Sequence, residues 1–150
     1  MTSYFHLAPI LLASKSVIEP GNFGRIIKLQ GIAHPLYRRE MAYEQVRQQS
    51  FCNRPSRLDC LFCLPTLEEA ELYHTHIKGY ESSILYEVES FENQPHIADA
   101  NNAIQNCALP AFDLGIISYY WQGWSRSPDP RAVIMREVLL RQPVTVICKI

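Results

Sequence analysis

Ile134-Met135-Arg136-Glu137-Val138-Leu139-Leu140, followed closely by Val144-Thr145-Val146-Ile147, decides how this chain is read. Apolar and β-branched residues dominate both pieces, so the end of the sequence is predicted to be strand. Glu137 stands at the threshold of that run, where a strand would hold its carboxylate rigidly at the mouth of a site. Two upstream fragments occupy matching places. Tyr4-Phe5-His6 lies on a predicted first strand, and Cys60-Leu61-Phe62-Cys63 precedes a predicted helix carrying Tyr73. A histidine, an aromatic shelf and a strand-edge glutamate thus recur in that order.

The 150 residues fit one domain, 1–150, with enough chain to bury a core. An apolar share of 47% and a charged share of 19% belong to a globular protein rather than a disordered one. A net charge of -1 gives no chain-wide pull toward nucleic acid or membrane, which leaves a local basic groove open. No charged-then-apolar leader precedes the first strand, and no apolar run approaches the roughly 18 residues of a membrane span. The expectation is a soluble, cytoplasmic protein without a membrane partner. The five cysteines are odd in number and scattered, which argues for reduced thiols. Zinc held by Cys60 and Cys63 with Cys52, His74 or His76 is the alternative. A strand through that region would turn Cys60 and Cys63 to opposite faces, and a second Cys-x-x-Cys is missing, so no metal is expected.

Along the chain, residues 3–8 are predicted as strand, with Tyr4 and His6 on one face. Pro20-Gly21-Asn22 and Gly24 mark a turn near Phe23 and Arg25. Residues 38–49 lack a breaker and carry a stripe of Tyr37, Met41, Tyr43 and Val46, with Glu40 and Glu44 ahead of Arg47 and Gln48. Leu58 to Leu64 is predicted as strand. Thr66 then caps a helix in a capping box with Glu69, with Leu67, Ala70 and Tyr73 or His74 facing inward and Lys78-Gly79 ending it. Residues 83–88 are predicted as strand. Residues 91–115 are ambiguous, with a possible helix from Ala98 to Cys107. Tyr119-Tyr120-Trp121 is predicted as strand and 125–130 as loop. Strands punctuated by helices early and mostly strands later suggest an α+β domain.

These fragments resemble the ADP-ribosyltransferase fold in its His–Tyr–Glu branch, which includes the diphtheria-toxin-like transferases, the poly(ADP-ribose) polymerases and the small rifampicin-modifying enzymes. The family's strand-one His-Gly is similar to His6-Leu7. Its aromatic pair and following helix look like Leu61-Phe62-Cys63 with Ala70 and Tyr73, and its late glutamate looks like Glu137. The chain also resembles a group of uncharacterised bacterial proteins that share Phe51-x-x-x-Pro55-Ser56-Arg57 and a late Tyr120-Trp121-x-Gly123. The resemblance implies an α+β, ADP-ribosyltransferase-like split β-sheet core with flanking helices. The family's glycine is Leu7 here, whose side chain must turn away from a pocket. Its first tyrosine is Phe62, which keeps a stacking face and loses the hydroxyl.

The resemblance implies NAD as co-substrate. Cleaving the nicotinamide–ribose bond builds positive charge on the ribose, which a fixed carboxylate stabilises. Glu137 is the candidate for that role, and for orienting or deprotonating a nucleophile. Read alone it is a solvated strand-start glutamate beside Arg136. His6 would bond a ribose hydroxyl, the Leu7 backbone would pair with the nicotinamide amide, and Tyr73 would stack on the ring with Phe62 lining the pocket. Half-buried strand histidine and ordinary core are the competing readings. Arg25 and Arg57 could neutralise the pyrophosphate, or be surface arginines. Met135 occupies the position where arginine-modifying members carry a second Glu or Gln, so another acceptor is favoured. Tyr119, Tyr120, Trp121 and Trp124 either read that acceptor or pack in the core. The leading expectation is a mono-ADP-ribosyltransferase acting on a protein, nucleic acid or small molecule, such as a bacterial or phage effector or toxin. NAD glycohydrolysis and a catalytically silent NAD- or ADP-ribose-binding or protein-interaction module are the alternatives. A Rossmann dehydrogenase is disfavoured by the lack of a Gly-x-Gly-x-x-Gly between strand and helix. The RNA 2′-phosphotransferase branch is disfavoured because its paired His and Arg pattern is not evident.

Overall fold

Runs of β-branched and aromatic residues pair into two antiparallel sheets. The computed structural model describes every residue except 109 and 110. In the first sheet β1 (Thr2–Ala8) pairs with β4 (Ile84–Ser90), β4 with β7 (Val144–Lys149), and β7 with the short β2 (Val17–Ile18). The second sheet is β3 (Leu61–Cys63), β6 (Arg136–Leu140) and β5 (His96–Asp99), with β6 in the centre.

Period-2 alternation sorts the second sheet's side chains. Leu61, Cys63, Val138 and Leu140 pack against Tyr4, Tyr86, Val88, Val144 and Val146 of the first sheet. Phe62 and Leu139, one residue out of phase, meet the helices on the other side. Those helices are α2 (Tyr37–Ser50), α4 (Ala100–Ala108) and α5 (Leu114–Gln122), which supply Tyr43, Val46, Ala103, Ile117, Tyr120 and Trp121. The protein is therefore α+β, with curled antiparallel sheets and flanking helices.

The sheets part at one place. β3 follows β6 as far as Cys63 opposite Val138. At the next residue the backbone turns to β1: Leu64 N–H donates to Phe5 C=O at 2.8 Å, and Phe5 N–H to Leu64 C=O at 2.9 Å. Glu137 keeps Ala98 of β5 as its neighbour and has no partner on β3. The chain also turns a corner between β6 and β7, consecutive strands in different sheets. The buried Glu92 carboxylate fastens that corner, accepting Arg141 N–H at 2.6 Å and Gln142 N–H at 3.3 Å.

Several expectations need correction. Tyr119-Tyr120-Trp121 is helix: Asp113 caps α5 by accepting from Gly115 N–H at 2.8 Å and Ile116 N–H at 3.2 Å. The 3.6-residue period then buries Ile117, Tyr120 and Trp121 together while Tyr119 stays exposed. Among the described residues the second half thus holds two helices. The expected turn at Gly21–Gly24 starts α1 (Asn22–Gln30), with Gly21 left-handed at φ 88° ahead of it. Gly24 lies against the Leu58 carbonyl, where a Cβ would fall 1.8 Å from the oxygen. The expected 58–64 strand contracts to β3, because residues 57–60 turn. On α2 the buried stripe is Glu40, Tyr43 and Val46, and Met41 is only half-buried. The possible helix from Ala98 starts two residues later, as α4, and residues 109 and 110 of that stretch lie outside the described residues. No helix among the described residues is long and apolar enough to cross a membrane.

Candidate functional site

Beside the gap left by β3 runs a cleft with two lobes, of about 660 and 350 Å³. His6 and Leu7 of β1 line the larger lobe. Phe62, Tyr73, Tyr80, Phe23 and Glu137 form a wall common to both. Of the residues singled out in the sequence, His6, Leu7, Phe62, Tyr73 and Glu137 therefore come together, 131 positions apart at the extremes (137 − 6). Arg57 lines the smaller lobe. Arg25 lines neither; it is exposed and bonds Asn22 Oδ1 through Nε at 3.2 Å and Nη2 at 3.0 Å.

His6 is oriented by the chain it faces. Its Nδ1–H donates to the Phe62 carbonyl at 2.8 Å, which leaves Nε2 as an acceptor. Burial lowers its pKa, outweighing the opposite pull of that bond, so the ring is neutral at physiological pH. Leu7 presents backbone. Phe5 spends both its backbone groups on Leu64, and strand alternation turns those of Leu7 to the same edge. The Leu85 carbonyl opposite accepts from Ile150 N–H at 3.0 Å, away from Leu7. No backbone bond to Leu7 on that edge exists among the described residues. Its side chain is buried with Leu64, Ala70 and Leu85.

Tyr73 projects from α3 (Leu67–His76). Thr66 caps this helix, its Oγ1 accepting Glu69 N–H at 3.2 Å. The expected capping box is only half made. The Glu69 carboxylate accepts from the Thr66 hydroxyl at 2.7 Å and reaches across to Arg136, at 2.7 Å from Nε and 3.0 Å from the backbone N. α3 ends at His76, before the expected Lys78-Gly79, and Leu67 is exposed at 37%. Ala70 is fully buried, and Tyr73 packs edge-on against Tyr80 at 5.3 Å. Burial raises the Tyr73 pKa well above the ordinary value, so the ring is neutral.

Glu137 is not the solvated glutamate its neighbour Arg136 suggests. It is 5% exposed and sits inside a charged network. Its Oε1 accepts from Arg57 Nη1 and from the Tyr120 hydroxyl. Arg57 in turn holds Glu40, through Nε at 2.9 Å and Nη2 at 3.2 Å, and Arg39 reaches Glu40 Oε1 through its Nε at 3.0 Å. The Arg57 guanidinium lies 4.8 Å from the Phe62 ring centroid and 4.9 Å from that of Tyr120. Burial works to lower the Arg57 pKa, but Glu137 and Glu40 prevail and keep it well above the ordinary value. Burial works to raise Glu40, and Arg57 and Arg39 hold it below the carboxylate range. Burial lifts Tyr120 well above its ordinary value, so its O–H remains a donor. Both recorded bonds fall on Oε1 of Glu137, leaving Oε2 for the cleft it lines.

Arg57 thus serves two carboxylates rather than standing free for a pyrophosphate. Sequence reasoning missed Glu40, Tyr80 and Phe23, and placed Tyr120 in the aromatic cluster without its bond to Glu137. For Glu40 the signal was its spacing of three from Tyr43 and six from Val46, which places a carboxylate on an inward stripe. The aromatic cluster at 119–124 divides. Tyr120 and Trp121 are core, Tyr119 is exposed, and Trp124 lies against the Arg136 guanidinium at 4.9 Å. Cys60 and Cys63 belong to different cores, and burial pushes the first thiol up to about 12 and the second higher still.

No curated protein matches the chain. A family model matches residues 13–150, and the chain belongs to that family, described as "Protein of unknown function (DUF2441)".

Proposed function

We propose that the protein is a mono-ADP-ribosyltransferase that uses NAD as its ADP-ribose donor. One observation carries the reading: a neutral histidine, an unpaired strand edge, an aromatic ring and a fixed carboxylate converge on one cleft. The Leu7 edge offers a donor and an acceptor to a flat carboxamide, the pairing that nicotinamide needs. Tyr73 and Phe62 supply apolar faces for its ring. His6 Nε2 accepts a ribose hydroxyl. Glu137 faces the carbon on which positive charge develops as nicotinamide leaves. Arg57 and Tyr120 fix it there, so little reorganisation is required during the reaction.

Nicotinamide release by the purified protein tests this, measured with and without cell lysate. Release is expected to require lysate, which supplies the acceptor, and to fall about 10²- to 10³-fold in Glu137→Gln with the circular dichroism unchanged. Release without lysate would replace transfer by glycohydrolysis. Failure to bind NAD would remove the reading altogether.

A further inference from the structure

The two lobes that share Glu137 carry opposite charge. Glu19 and Glu137 are the charged side chains lining the larger lobe, which has no lysine or arginine among the described residues. Arg39, Arg57 and Lys78 line the smaller lobe, and Glu137 is the one carboxylate among its described lining residues. Lys78 is exposed and forms no ion pair among the described residues. Glu81, its nearest acid along the chain, turns onto Gly79 N–H at 2.9 Å. Glu40 offsets Arg39 and Arg57 from behind, outside the lining of the lobe. The lobe therefore presents Lys78 and the edge of Arg39 whose Nη1 donates to Cys107 Sγ at 3.1 Å.

A transferase needs two reactants to meet at one stabilising group, and here one carboxylate faces two cavities. We infer that the smaller, basic lobe is the acceptor site and takes a phosphomonoester, with Lys78 and Arg39 holding its phosphate. The inference rests on the NAD reading above. At about 350 Å³ the lobe accommodates the phosphorylated end of a molecule rather than a protein surface. A phosphomonoester is largely dianionic at neutral pH, matching the basic wall. Its chemistry also suits the state of Glu137. A phosphate oxygen uses its own electron pair to form the bond to the ribose C1′ carbon. The C1′–nitrogen bond breaks with its pair passing to nitrogen, which neutralises the pyridinium, and nicotinamide departs. The nucleophile has no proton to lose, so Glu137 can remain committed to Arg57 and Tyr120 throughout.

A nucleic-acid terminus and a phosphorylated small molecule both carry such a phosphate, and the same experiment separates them. Isotope-labelled full-length protein is titrated with a 5′-phosphorylated oligonucleotide, its dephosphorylated twin and glycerol phosphate. Binding is read from the amide signals of Lys78 and Gly79 and the side-chain Nε of Arg39. Each probe is then incubated with NAD and examined for an ADP-ribose adduct by mass spectrometry. The phosphorylated probes are expected to shift those signals and to acquire the adduct, with the tighter binder identifying the source, while the twin does neither. Lys78→Glu, a surface substitution, is expected to weaken phosphate binding about tenfold. Equal behaviour of the twin, or absence of shifts with every phosphorylated probe, overturns the inference. Nicotinamide release without an adduct on either phosphorylated probe overturns the acceptor assignment and spares the NAD reading. Phosphate binding in a protein that does not bind NAD overturns that earlier reading and, with it, the acceptor role of this lobe.

Discussion

Arg57 and Glu137 stand 80 residues apart in the chain and form an ion pair in which the two side chains are only 4% and 7% exposed. The guanidinium also holds Glu40, so one buried cation links α2 to β6 through two carboxylates. Removing it would leave Glu137 with Tyr120 alone and Glu40 with Arg39 alone.

Breaking a buried pair from one side is far more damaging than never having made it, because the remaining charge keeps its desolvation cost. Arg57→Met is therefore expected to lower stability by about 3–5 kcal/mol, read from the urea midpoint with an unchanged slope. A loss below about 1 kcal/mol would mean that the network behaves as a solvated surface pair.

His96 sets an acid limit on the fold. Burial, helped by Arg54, pushes it down to about 4. It stacks on Trp121 at 5.5 Å, and its Nε2–H donates to the Tyr120 carbonyl at 3.1 Å. The unfolded chain takes up the corresponding proton near pH 6.5, at about the model-peptide value. Between those values the unfolded state binds more protons, so stability falls as pH drops from about 6.5 to about 4 and is insensitive to this group above that window. The loss is on the order of 3 kcal/mol, and His6, lowered by the same cause, adds to it in the same direction. Denaturant melts at stepped pH should show most of this slope disappearing in His96→Gln. A slope unchanged by that substitution would assign the acid limit elsewhere.

Gly24→Ala separates packing from helix propensity. Alanine favours a helix interior by about 1 kcal/mol over glycine. Here its Cβ would lie 1.8 Å from the Leu58 carbonyl oxygen, and backbone cannot move aside cheaply. The expected result is a net loss of about 1–3 kcal/mol, visible as a lower thermal midpoint. A raised midpoint would show that α1 is free to shift away from the turn before β3.

Local signals gave α2, the Thr66 cap and the strand character of the closing segment, because each rests on residues close in sequence. The aromatic run at 119–121 misled, since strand propensity and a helical stripe compete there and the Asp113 cap decides between them. Composition leaves the stretch from Arg136 onward open as one strand or two, and residues 141–143 send its two halves to different sheets. At the site, His6, Phe62, Tyr73 and Glu137 could be picked out by type and order. Of the Arg57 network only the inward spacing of Glu40 was legible, because an arginine in a loop looks like a surface residue until the fold encloses it.

Glu92 gives the corner after β6 a further meaning. It fastens Arg141 and Gln142, and Arg141 lies four positions, about 13 Å along the strand, beyond Glu137. The two sheets are thus fastened at that corner by a carboxylate, and at the cleft end by the Phe5–Leu64 bridge and the His6–Phe62 bond. The frame that spaces His6 from Glu137 therefore includes a carboxylate that lines neither lobe of the cleft.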